Sequence, residues 1–431
     1  MVGTVLLSFP FVTRSGQRTP LIDALFTAVS AASVSGLSVV DTLEHWNRLG
    51  QFFLIALVQI GGLGFSVGAG ILLQMLRRGS GAYSLRDEML MKDGSPSLTL
   101  QEAVSLASQI VRFTFVVEGI GTVALIIWFL TVGDFGIGEA VWNGIFYSVA
   151  AFCNAGFDLS SGFAAVRPAV GDIWLNLIII ALAQLGALSY LVWADVERHR
   201  AWRPLALDTK IVLSLNALLL GAGTVVFLGA EWGGAIAELE VGDKVLASIF
   251  QSASARSAGF NTIDWSIVNP LTLFFWLGLM FVGGASGSTS GGIRLSTAGV
   301  VLAAVVSTLR GNTETQLWGR RIATPIVFRA VTVIVIFLLI FGLGVIALSI
   351  VEHYFRQRET SMIALMFEAM SALATVGLST GITPALSAGS KLVLCILMFV
   401  GHLGPLITVY ALQRRQRPER YRFPEEGVRI G

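Results

Sequence analysis

The chain has 431 residues, 54% of them hydrophobic and only 13% charged, with a net charge of +2. Soluble domains carry about a quarter charged residues, so this composition excludes an ordinary soluble domain, and the small net charge gives no footing for nucleic acid. The two cysteines, Cys153 and Cys395, lie in apolar runs and imply no disulfide or metal framework.

Several apolar runs of roughly 20 residues match the hydrocarbon thickness of a bilayer. The alternating pattern of a transmembrane barrel is absent. The expected fold class is an all-α polytopic membrane protein. The chain reads as one transmembrane domain with a cytoplasmic tail at 416–431. Four units follow one another, at about 1–78, 100–200, 205–310 and 325–415.

Each unit combines a spanning helix, a half-helix with its loop, and a second spanning helix. Unit one begins with an apolar stub at Val2–Phe11, about half a span long. This leads us to expect a truncated first helix or a start further upstream; no cleavable signal peptide is evident. A half-helix near Pro20–Ala32 and a span near Gln51–Leu76 follow. Unit two has spans near Ser108–Val132 and Ile173–Ala194 around a half-helix near Glu139–Phe152. Unit three has spans near Thr209–Leu228 and Leu271–Leu309 around a half-helix near Gly242–Ala255. Unit four has spans near Phe328–Val351 and Lys391–Leu412 around a half-helix near Ser361–Ala374. Half-helices too short to cross must enter the membrane and return, which is tolerated only where protein or water satisfies the backbone. The alternative is a set of segments lying flat at the interface.

Arginine clusters follow the second spans: Arg77 and Arg78; Arg198, Arg200 and Arg203; Arg310, Arg320 and Arg321; and Arg414, Arg415, Arg417, Arg420 and Arg422. By the positive-inside rule all four are expected on the cytoplasmic side, with both termini.

Every half-helix runs into a similar polar segment. These are Ser33-Val34-Ser35-Gly36, Cys153-Asn154-Ala155-Gly156, Arg256-Ser257-Ala258-Gly259 and Ala374-Thr375-Val376-Gly377, each followed by Leu or Phe and a small polar residue or Asp. Their glycines lie 120, 103 and 118 residues apart. A dehydrated alkali cation needs oxygen ligands in place of water, and rings of backbone carbonyls supply them. Aiming successive carbonyls at one axis needs dihedrals that glycine adopts at low steric cost. The sixteen residues are therefore candidates for a K⁺ filter. Arg256 stands out, since an unpaired arginine in the hydrocarbon region costs about 3 kcal/mol; Glu368 is its candidate partner, and Glu118, near Arg112, is a further intramembrane acid.

The second span of unit three is interrupted by Gly283-Gly284-Ala285-Ser286-Gly287-Ser288-Thr289-Ser290-Gly291-Gly292. Each interior glycine costs a helix about 1 kcal/mol, so a loop at mid-membrane is expected, serving as a gate. A close helix-packing seam is the alternative. His402, deep in the last span, is either a buried neutral histidine or a side chain projecting into the pore below the filter. From a different functional class, Ser288 or Ser290 with His402 as base could form an intramembrane serine protease, though that leaves the fourfold segments unexplained. No nucleotide-binding Gly-rich motif follows a strand, so no ATPase domain is carried on this chain.

The motifs 23–27, 36–42, Gln59-Ile60-Gly61-Gly62-Leu63-Gly64-Phe65, 154–158, 256–262, Gly291-Gly292-Ile293-Arg294 and Gly401-His402-Leu403-Gly404-Pro405-Leu406 together resemble the KtrB/TrkH/HKT superfamily of potassium-translocating subunits, the KtrB type in particular. The resemblance runs over essentially the whole chain. It implies four helix–pore helix–helix repeats around one pore, a homodimer in the plasma or inner membrane surrounded by lipid, and a cytosolic KtrA-type nucleotide-binding ring as regulator. It implies no enzyme activity and no cofactor, with K⁺ as the transported ion and Na⁺ as a possible coupling or activating ion. A sodium-coupled secondary transporter is the rival reading. KtrB-type proteins usually carry arginine where this chain has His402.

Overall fold

The computed structural model describes residues 1–79, 100–163, 166–355 and 360–414. The expected tail at 416–431 and the arginines beyond Arg414 lie outside the described residues.

The element order repeats four times. Unit one has a short helix at Val2–Ser8, a pore helix at Leu21–Ala32 and a long helix at Arg48–Gly79. Unit two has a long helix at Leu100–Thr131, a pore helix at Ile137–Phe152 and a bent pair, Ile173–Ala187 and Tyr190–His199. Unit three has a long helix at Leu207–Glu231, a pore helix at Val241–Ser254 and a second helix in two pieces, Pro270–Phe281 and Leu295–Leu309. Unit four has a long helix at Thr324–Ser349 that runs into a π-helical turn at Ile350–Phe355, a pore helix at Met362–Leu373 and a long helix at Ala388–Arg414.

Among the described residues, four helical stretches are long and apolar enough to cross a bilayer, or five with the bent pair counted as one. Their outer faces keep large apolar side chains exposed, among them Ile60, Ile120, Val225 and Leu339, as suits surfaces solvated by lipid. The pore helices, at 12, 16, 14 and 12 residues, fall short of the roughly 20 a span requires. Three begin with an acid in the first turn, Asp23, Glu139 and Asp243, where a negative charge complements the helix dipole. All four end against small or polar residues, so their carbonyl ends approach one another at the centre.

Two large apolar cores hold the units in pairs. One joins units one and two around Trp46, Phe146, Phe152 and Phe157. The other joins units three and four around Trp265, Trp276 and Phe367, with Trp265 ring centroids 5.5 Å from Trp276 and 5.4 Å from Phe367. Phe26 and Leu37 of unit one cross into the second core, and Phe250 and Phe260 of unit three cross into the first. The circle closes between units four and one where Lys391 Nζ meets Asp23 Oδ1 at 2.7 Å.

Two expectations change. The second span of unit two, read as continuous over Ile173–Ala194, bends by 92° at Leu188–Ser189. Ser189 takes φ +67°, a left-handed conformation that ends the ladder. The polar stretch at 310–324, which the sequence reads as a short loop between units three and four, contains a two-stranded hairpin, Gln316–Leu317 with Arg320–Arg321. Its turn is Trp318-Gly319, both at positive φ, as a tight two-residue hairpin demands.

Candidate functional site

Three of the four polar segments begin at the C-cap of their pore helix, Ser33, Cys153 and Ala374, and that of unit three, from Arg256, begins one residue past its C-cap Ala255; the four converge on one axis. In each, the same two positions are left-handed. Val34, Asn154, Ser257 and Thr375 have φ of 54°, 59°, 80° and 47°; Gly36, Gly156, Gly259 and Gly377 have φ of 80°, 65°, 75° and 90°. Alternating left- and right-handed residues turn successive peptide planes the same way, so neighbouring carbonyls share one side of the strand. Three of the four inner left-handed positions carry side chains that are strained there: Val34, Ser257 and Thr375; Asn154 tolerates the conformation better. The same conformation at all four positions, strained at three of them, marks a backbone held for a purpose.

The glycines are also where the segments touch. A Cβ on Gly36 would overlap the carbonyl oxygen of Ala155. One on Gly156 would lie 2.7 Å from Gly259 Cα. One on Gly259 would lie 2.7 Å from Val376 O, and one on Gly377 would lie 2.6 Å from Ser35 O. The contacts run one–two, two–three, three–four and four–one, a closed ring in chain order.

Sequence reasoning missed a second set of glycines. A Cβ on Gly61, Gly186 or Gly401 would strike the carbonyl of Ala32, Phe152 or Leu373, the last residue of the pore helix in the same unit. These glycines let each second helix press against the end of its pore helix. Their signal is spacing: they follow the loop glycine by 25, 30 and 24 residues.

The interrupted span of unit three does form a loop, and it sits against the inner end of the ring. Residues 283–285 and 287–295 are buried. The helix stops at Phe281; Gly283 N donates to Ile293 O and Ile293 N to Phe281 O, at 2.9 and 3.0 Å, which pinches the loop's base. Asn154 Nδ2 donates to Thr289 Oγ1 at 2.9 Å. Ala285 N donates to Ala187 O at 2.8 Å, so the bend at Leu188–Ser189 cradles the loop. Gly291 packs without room for a Cβ against Ala374 O and Thr375 Oγ1. The loop thus touches the second and fourth segments together.

Arg294, quoted in a motif but given no role by sequence reasoning, ties this loop together. It is buried. Its Nη1 donates to Ser290 O, to Ser288 Oγ at 3.4 Å and to Ala285 O at 3.5 Å. Its guanidinium lies 4.9 Å from the Phe65 ring centre, an attractive geometry for a cation over an aromatic face. The His402 ring lies 4.7 Å from that same phenyl ring. A fixed positive charge and two rings therefore stand just inside the loop. The signal was a lone charge after a glycine-rich break in an apolar span.

Arg256 does not pair with Glu368. Its Nη1 donates to Asn216 O at 3.2 Å and its Nη2 to Gly283 O at 3.5 Å, tying the third segment to the root of the loop. Glu368 accepts instead from Ser379 Oγ, Thr380 N and Thr383 Oγ1, at 2.6, 3.0 and 2.6 Å, within its own unit. Arg256 enters the ring through its backbone. Glu118 faces Gln59 Nε2 at 3.1 Å and the thiol of Cys153 at 3.8 Å. Ser288 Oγ donates to Ala285 O at 2.7 Å, and among the described residues no histidine ring bonds Ser288 or Ser290, so the arrangement a serine nucleophile needs is not assembled. Among the described residues no cluster of metal-binding side chains occurs either.

Outside the ring, the loops of units two and three are joined by Arg167 Nη1 and Asp264 Oδ2 at 2.9 Å. Burial alone would raise the Asp264 carboxyl, but the hydroxyl and amide of Ser266, with Arg167, outweigh it and hold the group below the usual carboxylate range.

Comparison with known proteins bears on the same architecture. Residues 2–419 match the family model described as "TrkH: Cation transport protein". The chain is 34% identical to the potassium/sodium uptake protein NtpJ of Enterococcus hirae, over 100% of this chain and 94% of that one. It is 36% identical to the Ktr system potassium uptake protein B of Bacillus subtilis, again over 100% and 94%. The Vibrio alginolyticus protein of the same name is 36% identical over 100% of this chain and 92% of its own. Among solved structures, the potassium transporter TrkH of Vibrio parahaemolyticus superposes with a TM-score of 0.69 at 17% identity, covering 94% of this chain and 80% of that one. That likeness speaks to the fold.

Proposed function

The chain belongs to the TrkH family of cation transport proteins, a family of transporters and not of enzymes, and on that premise we propose that it takes up potassium across the cell membrane through the ring of its four loops. The observation that carries the reading is the pair of left-handed positions repeated in all four segments, with their glycines in mutual contact. Such a backbone presents stacked carbonyl rings to one axis. A potassium ion exchanges its hydration shell for these oxygens, and no fixed negative charge traps it there. The carbonyl ends of four pore helices face the same point, adding partial negative charge where the ion sits. The names of the Ktr relatives support the choice of ion.

In this reading the loop at 283–292 is the gate. Closed, it is held by Asn154 to Thr289, by Ala187 to Ala285 and by Arg294. Opening breaks those bonds and carries the Arg294 charge away from the path. His402, against Phe65, flanks the same exit. A partner of the KtrA type, a cytosolic nucleotide-binding ring, supplies the work of opening. The relatives' designation as part of a Ktr system supports a multi-component assembly. The arginines at Arg198, Arg200, Arg203, Arg310, Arg320 and Arg321 support a cytoplasmic position for that side and for both termini, and the family resemblance supports a homodimer. A second reading, sodium as a co-transported or activating ion, is favoured by the name of the Enterococcus relative.

The test is rescue of a bacterium lacking potassium uptake at low external potassium, with rubidium uptake measured in the same cells. Wild type and Ser288→Ala should both restore growth. No rescue by wild type co-expressed with a KtrA-type partner would sink the proposal, and rescue only with added sodium would favour the second reading.

A further inference from the structure

A groove far from the ring opens on the arginine-rich side of unit three. Its cavity volume is about 530 Å³. One wall is the helix Leu207–Glu231 through Ile211, Leu215 and Leu218; the other is Leu295–Leu309 through Leu302 and Val306. Ile211 to Leu218 covers about two helical turns, roughly 10 Å at 1.5 Å per residue, so the aliphatic trough runs along the spanning helix Leu207–Glu231. Leu218 and Leu302 keep 60% and 50% of their surface exposed, which makes the trough continuous with the apolar belt of the molecule.

The end of the groove is polar. Arg310, Asn312 and Trp318 close it. Trp318, on the hairpin turn, meets Trp202 edge-on with centroids 6.1 Å apart, which brings the loop that follows Arg200 to the same mouth. Tryptophan is the side chain that settles at headgroup depth. Among the described residues Arg310 has no carboxylate partner, and nearby Glu314 is taken by Arg321 at 3.0 Å. A trough sized for hydrocarbon, an interfacial tryptophan pair and the unneutralised guanidinium of Arg310 at one end are complementary to one amphiphile.

We infer that this groove binds an anionic phospholipid of the arginine-side leaflet, with an acyl chain along Leu215 and Leu302 and its phosphate at Arg310. The bound lipid splints the hairpin to the two helices. Because Leu295–Leu309 continues directly from the loop at 283–292, occupancy favours one setting of that helix over another.

The test measures binding apart from transport. The full-length protein is reconstituted in phosphatidylcholine vesicles containing brominated phosphatidylglycerol, and quenching of tryptophan fluorescence is read as the difference between wild type and Trp318→Phe. Quenching of Trp318 at low mole fraction of the anionic lipid, with brominated phosphatidylcholine ineffective, is the expected result. Arg310→Ala should weaken it by about fivefold, the electrostatic contribution of one arginine at an anionic surface, and Ala303→Phe, which fills the trough, should abolish it. Both lipids quenching equally, or quenching unaltered in Arg310→Ala and Ala303→Phe, overturns the inference. So does an efficient disulfide between two copies of Leu302→Cys, which would mean that a second chain covers the groove. Rubidium flux is recorded alongside; its loss in wild type would count against the transport reading and leave the quenching result intact.

Discussion

Single residues decide whether the ring can form. A side chain at Gly156 or Gly259 meets two penalties at once. Left-handed backbone costs a non-glycine residue about 1–2 kcal/mol, and the added Cβ lands 2.7 Å from the Cα of the facing glycine, closer than any relaxed carbon contact. Gly156→Ala should therefore fold, yet lower rubidium uptake at least tenfold, as read in whole cells against surface expression. Asp264 gives a pH prediction. Its folded-state pKa is depressed, so its contribution is present above the unfolded value of about 3.9 and is lost as pH falls through the lower folded one. Asp264→Asn should lower the melting temperature of the purified protein at neutral pH, and the gap to wild type should close below about pH 4. The loop glycines were legible in the chain because four of them share one context. Arg256 was legible as an anomaly but not in its partners: backbone carbonyls of its own unit, at Asn216 and Gly283, leave no trace in the sequence, whereas Glu368 did, and it was the wrong partner.

At the scale of elements, the loop of unit three is held by few bonds, which is what a gate requires. The bond from Asn154 to Thr289 is neutral, worth about 1 kcal/mol net. Thr289→Val should shift the closed–open balance by roughly fivefold, raising flux without its regulator and narrowing the response to it, as measured in vesicles. Arg294→Ala removes three donations and should do more. Unchanged basal flux in both would show that the loop is not the barrier. The break itself was plain from ten small residues in a row. The cradle was not. Ile173–Ala194 is largely apolar, and nothing in its composition marks Ser189 for a positive φ; at the 92° bend Ala187 O is taken by the amide of Ala285, a contact from another unit that the sequence does not show. Hairpin strands of two residues likewise carry no periodicity to read.

For the whole molecule, the question is how one chain builds a fourfold ring from unequal parts. The units are stitched by crossing aromatics, Phe26 and Phe260 among them, and the last unit is fastened to the first by Lys391 and Asp23. That pair is shielded on both sides, so removing one partner strands a charge. Lys391→Met should destabilise the fold by on the order of 2 kcal/mol, and Asp23→Asn in addition should recover part of it, as judged by thermal unfolding. The order of units around the axis follows from chain connectivity and could be anticipated; the grouping into two cores could not, because it depends on which aromatic crosses which boundary. The central claim is that all four segments of a single chain line one path for potassium. The most direct measurement is the ratio of potassium to sodium permeability in vesicles holding wild type, Gly36→Ser, Gly156→Ser, Gly259→Ser or Gly377→Ser. Each substitution, from whichever unit, should reduce potassium flux and lower the ratio; wild-type flux and selectivity in all four would contradict the account.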